Sequence, residues 1–439
     1  MPDQDTNSND PGLSPPNHRA SAAIPEQTNI QRGGIRFQPK QAGLVSVQVW
    51  EYDAPTRRTS RDVAGETIQA LSAPDDFPPI ESAIVAGDRV ALAVDPNVPN
   101  VDEVVRGAIR MIRSTPADQI EVVVWEEATS ETLARIKVAA GDCPVISHQS
   151  DHRDSLCYLA ADVDAEPIYL NRALVDADFV LPIVAVRPTN VSQRRDVTGV
   201  FPSLSDSATR TRFGDKVSAG VAANPAMKSG NTIAEEVPWL LGIQLVVTVT
   251  ANASGTAGEI RAGTIEAIAK RIIPTLRRPD PVPPPAALVI AALDGDEQQQ
   301  TWENVVRAAD AATAYAEPDA TIVIWSSLSE PPAGALLALD SDFDGDDFND
   351  DFADRPDERD TDRETDSDGL PTWNRFSELA RVLKRVTENH RVLLHSRLDR
   401  ETIEPIGIGV IESAAELANL SRNFESCGVL RAASFAGGN

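Results

Sequence analysis

Short β-branched runs alternate with stretches of helical periodicity along most of this chain, and that rhythm confines it to one architecture. Arg89–Val94 (RVALAV), Gln119–Trp125 (QIEVVVW), Pro144–Ser147 and Phe179–Val186 (FVLPIVAV) are nearly unbroken apolar runs. Runs of this kind suit strands buried on both faces. Between them, Val101–Arg113 and Thr129–Ala139 place apolar residues at helical spacing, with Asp102 and Glu103 favourable in a first turn. Ser155–Ala161 reads as a helical turn. Buried strands joined by helices predict an α/β fold, with mostly parallel sheets covered on both faces.

At 439 residues the chain exceeds one ordinary core and suits two or three domains. Residues 1–38 are polar and rich in Pro, Asn and Ser, a tail expected to be disordered. A first domain over 39–276 should open with a strand at Leu44–Glu51. It ends after a hairpin from Gln244–Thr250 and Glu259–Arg261, followed by a helix at Thr264–Leu276. The Pro-rich run Arg277–Pro285 (RRPDPVPPP) forbids helix and sheet interiors, and marks a linker over 277–286. The second domain, 287–439, should carry strands at Ala287–Leu293 and Thr321–Trp325 around a helix at Thr301–Tyr315. The same alternation continues at Leu379–Thr387, Val392–Leu394 and Ala414–Asn419.

A net charge of −27 argues against nucleic acid and against anionic membranes as partners. Fifteen acids and three arginines between Asp340 and Asp368 put −12 of that charge in one segment, leaving −15 elsewhere. Within it, Asp340, Asp342, Asp344 and Asp351 match ligand positions of a calcium loop. Asp347 stands where the apolar anchor belongs, so an acidic, disordered insertion over 340–370 is the favoured reading. Three widely spaced cysteines form no disulfide framework or metal motif. No secretory signal and no run of spanning length is visible, so a cytoplasmic protein is expected.

Several stretches resemble, in order, those of the nickel-pincer lactate racemase family. They are ALSAPDDFPPIESAIVAGDRVALAVDPNVP, His148–Asp178, TGVFPSLSD, EEVPWLLGIQLVVTVTANASGTAGEIRAG and DEQQQTWENVVRAAD. The resemblance covers roughly residues 70–325 and implies two α/β domains with a site in the cleft between them. It further implies racemisation or epimerisation of 2-hydroxy acids by hydride transfer to a nickel-pincer nucleotide. In the family a lysine links that cofactor, a histidine ligates the metal, and two further histidines act as acid and base.

Position by position, this chain departs from that pattern. Asp95 and Pro99 match the first loop, but Asn97 and Val98 replace its threonine and arginine. The second loop is Trp125–Glu131 without a histidine, Arg187-Pro188 replaces Pro-His, and Thr198 stands where the linking lysine belongs. Gln300 is kept, while Glu303 replaces a lysine. There is no histidine between His152 and His390 and no lysine between Lys137 and Lys216. Asp95, Gln300 and Glu303 are thus remnant catalytic positions, with no cofactor and no metal expected. His148 and His152 have a metal-like spacing, weighed against a surface or capping role.

Arg187, Arg194, Arg195 and Thr198, with Arg210 and Arg212 nearby, are the candidate site for a small carboxylate or phosphate. The competing reading pairs these arginines with Asp178, Asp196 and Asp206. Three functions stay open: a catalytically silent anion-binding relative, an active racemase with a non-covalent or different cofactor, and an interaction protein using the acidic insertion. The protein partner of the last is not specified by the sequence.

Overall fold

The computed structural model describes residues 48–52, 59–162, 164–187, 198–213, 231–275, 284–333, 336–337 and 375–436. The calcium-like positions Asp340, Asp342, Asp344 and Asp351, the N-terminal tail, most of the Pro-rich linker, and Arg194 and Arg195 lie outside them.

The described residues begin with β1 (Gln48–Tyr52) and α1 (Val63–Ser72), followed by β2 (Arg89–Val94) and α2 (Val101–Ile112). Next come β3 (Gln119–Val124), α3 (Ser130–Ala140) and β4 (Val145–Ser147). The pair β5 (Leu156–Ala161) and β6 (Pro167–Asn171) precedes β7 (Phe179–Ala185) and α4 (Asn231–Leu240). A hairpin of β8 (Val246–Ala251) and β9 (Ala257–Gly263) leads into α5 (Ile265–Thr275). The second half runs β10 (Ala286–Ala292), α6 (Trp302–Thr313), β11 (Ala316–Trp325), α7 (Arg375–Asn389), β12 (Arg391–His395), β13 (Gly409–Val410), α8 (Ala414–Ser421) and β14 (Ser426–Leu430).

Twelve of these strands form two six-stranded sheets, ordered β4-β3-β2-β7-β8-β9 and β1-β14-β10-β11-β12-β13, and β5 pairs with β6 apart from them. In the first, all neighbours are parallel except β8 and β9. In the second, all neighbours are parallel. The expected two-sided burial is met residue by residue. In β2, Val90, Leu92 and Val94 enter one core cluster, while Ala91 and Ala93 enter the one on the opposite face. In β10, Val289 and Ala291 face one core, and Leu288, Ile290 and Ala292 the other. Alternate side chains leave opposite faces of a strand, so an unbroken apolar run requires covering layers on both.

Two sequence expectations are corrected. Leu156–Ala161, expected as a helical turn, is a strand paired antiparallel with β6. Its connection turns on Asp162, whose Oδ1 accepts from the amides of Asp164 and Glu166, with Ala165 at φ 63°. An Asx-type turn without glycine hides a hairpin from sequence reading. The strand expected to open the first domain, β1, instead pairs parallel with β14 at the edge of the second sheet. Parallel partners are non-local, so the apolar pattern that identifies a strand does not choose its sheet.

Candidate functional site

In each sheet the chain leaves a central strand in one direction and later returns on that strand's other side. In the first sheet this happens at β2, flanked by β3 and β7; in the second at β10, flanked by β11 and β14. Crevices at the carboxyl ends of such switch points are where open α/β sheets bind ligands. The first switch point holds Asp95 and Arg187, which directly follow β2 and lie just past β7.

Asp95 is 2% exposed and saturated. Its Oδ1 accepts from the Asn97 amide at 2.9 Å and from Asn97 Nδ2 at 3.0 Å. Its Oδ2 accepts from the Ala185 amide at 3.2 Å and from Arg187 Nη2 at 3.3 Å. Arg187 reaches onward to the start of α6, where Nη1 meets Asn304 Oδ1 at 3.4 Å and Glu303 Oε1 at 3.5 Å. Glu303 also accepts from Arg307 Nε at 3.1 Å and from Asn97 Nδ2 at 3.4 Å. Thr301 caps this helix by accepting from the Asn304 amide at 3.2 Å. The cap places Glu303 in the first turn, where the helix dipole favours an acid. Two acids thus face two arginines in a web joining both domains.

The rest of the seam is closely packed. Gln299 Nε2 donates to the Asn97 carbonyl at 3.1 Å. Arg135, on α3, bridges Asp102 and Asp296, each at 2.9 Å. The β8–β9 turn presses Gly255 against the second switch point: a Cβ there would lie 2.4 Å from the Asp294 carbonyl. Asp294 itself accepts from Arg431 Nε at 2.9 Å and from the Ala432 amide at 2.8 Å. Near the carboxyl end of the chain, Phe435, fully buried, packs with Ala432, Ala251 and Ala185.

Of the remnant positions, Asp95 and Glu303 therefore meet through Arg187 and Asn97. Gln300 does not join them. Its Nε2 donates to the Leu293 carbonyl and its Oε1 accepts from the Ser327 amide, both within the second domain. Thr198 is fully buried, and its hydroxyl accepts from the Val200 amide at 3.4 Å. Of the named arginines that are described, none pairs as expected with Asp178 or Asp206. Arg210 lies 3.4 Å from Glu126 and 3.5 Å from Glu127, and Arg212 donates to the Pro167 carbonyl. Asp178 pairs with Arg89 instead. Sequence reading missed Asn304, Arg307, Gln299 and Arg135. The Glu303/Arg307 spacing of four on one helix was the available signal.

His148 is sealed beside Arg210. The Ser205 carbonyl, 2.9 Å from Nε2, can only accept, so Nε2 carries the proton, and Nδ1 accepts from Asn171 Nδ2 at 3.2 Å. Burial first, then the Arg210 charge, hold its pKa down to about 3. His152 is exposed, while both ring nitrogens of His148 are engaged by Ser205 and Asn171 rather than turned toward it. Burial likewise raises the Glu126 carboxyl, against the pull of Arg210. Among the described residues no cluster of three or more His, Cys, Asp or Glu is placed to hold a metal ion, and no helix is long and apolar enough to cross a membrane. A groove lined by Arg89, Gln119, Glu121, Arg172 and Asp176 opens at the opposite, amino-terminal ends of β2 and β3. Its arginines are spent on backbone carbonyls of Asp176, Asp154 and Leu156.

No protein-family model and no curated protein matches this sequence. Solved structures do. The lactate racemase apoprotein from Thermoanaerobacterium thermosaccharolyticum superposes with a TM-score of 0.61 at 12% identity, over 86% of this chain and 93% of that one. A structural-genomics protein from Thermotoga maritima gives 0.58 at 11% identity, over 84% and 96%. At such identity the likeness is one of architecture, and it extends across both α/β units: the chain has a lactate racemase-like fold.

Proposed function

We propose that this chain is a catalytically silent relative of the racemases whose fold it resembles, keeping the scaffold and at most the recognition of a small carboxylate or phosphate. The observation that carries the reading is the content of the first switch-point crevice. Moving a hydride from a 2-hydroxy acid needs an electrophilic acceptor, a base for the hydroxyl proton and cations for the carboxylate. Here the crevice holds acids, amides and arginines, and Asp95 and Glu303 neutralise the arginines. The sequence supplies no histidine between His152 and His390. His148, which does lie nearby in sequence, has both ring nitrogens engaged in a sealed site.

A nickel-pincer nucleotide does not suit these residues. The charged web occupies the crevice, Thr198 stands where a linking amine is needed, and its hydroxyl is turned to a backbone amide. No step is therefore routed through that group. The candidate anion site then rests on Arg187, where a ligand must compete with Asp95 and Glu303.

Intact mass and metal analysis of native protein, with a racemisation assay on a panel of 2-hydroxy acids, tests the proposal. The expected result is the unmodified polypeptide mass, no stoichiometric nickel and no racemisation. A covalent adduct with nickel, or turnover of any hydroxy acid, overturns it in favour of an active racemase.

A further inference from the structure

We infer that the first switch-point crevice is a carboxylate-binding site whose occupant is the chain's own Glu303. The coordination of that side chain is what a bound anion would receive. Three donors converge on it from both domains: Arg187 Nη1 at 3.5 Å, Arg307 Nε at 3.1 Å and Asn97 Nδ2 at 3.4 Å. The amino-terminal end of α6 adds its dipole. The two guanidiniums are 5% and 6% exposed and the carboxylate 11%, so the exchange takes place out of bulk water. Donors around Glu303 come from α6, from the loop after β2 and from beyond β7, so the site exists only when the two domains are together.

Charge sharpens the argument. Asp95 and Glu303 offset Arg187 and Arg307. Truncating Glu303 to alanine removes the acid that Arg187 and Arg307 share, and opens a hole the size of a short carboxylic acid. An external monocarboxylate restores both the shape and an acid for the two guanidiniums. Glu303 therefore acts as a tethered plug, and the unmasked site takes acetate or propionate in its place. This inference is independent of whether the protein is catalytically silent, since it concerns binding alone.

The test is chemical rescue of Glu303→Ala, read as the melting temperature against sodium acetate, sodium propionate and, for ionic strength, sodium chloride. At about ten times its dissociation constant, acetate should raise the variant's Tm by roughly 3–6 °C, with saturation. Chloride should not, and wild type and Glu303→Gln should respond to acetate no more than to chloride. An equal response of wild type and Glu303→Ala, or equal effects of acetate and chloride on the variant, overturns the inference.

Should Glu303→Ala fold in no buffer, a double-variant cycle decides. Glu303→Gln and Arg307→Met each unbalance the web, while together they leave Asp95 against Arg187. The pair should then be more stable than the sum of its single effects. Strict additivity overturns the inference.

Discussion

His148 shows how burial can turn a titratable side chain into a structural one. Its imidazole is neutral in the fold, because water is absent and Arg210 stands beside it, and its pKa falls to about 3. The unfolded chain takes up a proton near pH 6.5, and the native state does not until far lower. Stability from this residue is complete above about pH 6.5 and drains away as pH falls toward 3, by about 4–5 kcal/mol at the limit. Urea unfolding of wild type and His148→Asn between pH 7 and pH 4 should show the wild-type advantage narrowing by about 1.4 kcal/mol per pH unit below 6.5. A constant advantage across that range would refute a neutral buried ring. At this scale the sequence revealed which residues were missing, since a gap without histidine is visible before any folding. It did not reveal where Glu303 goes, because twelve intervening elements, α2 through β10, separate Asp95 from the helix that answers it.

The elements built from apolar periodicity formed close to where the pattern placed them, and those that depend on a distant partner did not. Strands β2, β3, β7 and β10 carry their own evidence as two-sided apolar runs. Strand β5 needed β6, and β1 needed β14, before its place was fixed. The β8–β9 turn combines both kinds of information. Its glycines predict a turn, yet only the assembled molecule shows Gly255 seated against Asp294 and Gly295.

Two glycines allow a controlled comparison at this scale. Gly242 and Gly255 share φ values of +66° and +70°, but only Gly255 has neighbours within reach of a Cβ. Gly242→Ala should cost about 1 kcal/mol for its left-handed backbone alone. Gly255→Ala should cost at least about 2 kcal/mol more, because the clash is with backbone that cannot swing aside. Chemical denaturation of both variants checks this, and equal losses would mean that the turn is not held against the second domain.

As a whole, the molecule is two α/β units whose facing switch points are filled by protein. Ion pairs in such a seam set its geometry more than its strength, since desolvation offsets much of their attraction. Apolar contact should then supply the coupling. Phe435 is its clearest instance, belonging to the second unit yet buried against Ala185 and Ala251 of the first. Calorimetry should show a single transition for wild type, and Phe435→Ala should lose about 3–5 kcal/mol and separate the transition into two. A variant that stays a single transition at lower temperature would place the coupling elsewhere.

The sequence by itself determined the two α/β units, the layers on both faces of their sheets, and the absence of histidine between His152 and His390. Those properties are local or compositional: an apolar run must be covered, and an absent side chain cannot act. Only the tertiary structure decided that Asp95, Arg187, Glu303 and Arg307 close one web, that Gln300 turns away from it, and that β1 joins the second sheet. Those depend on which distant segments meet, and a charge reveals its partner only when folding has removed the water between them.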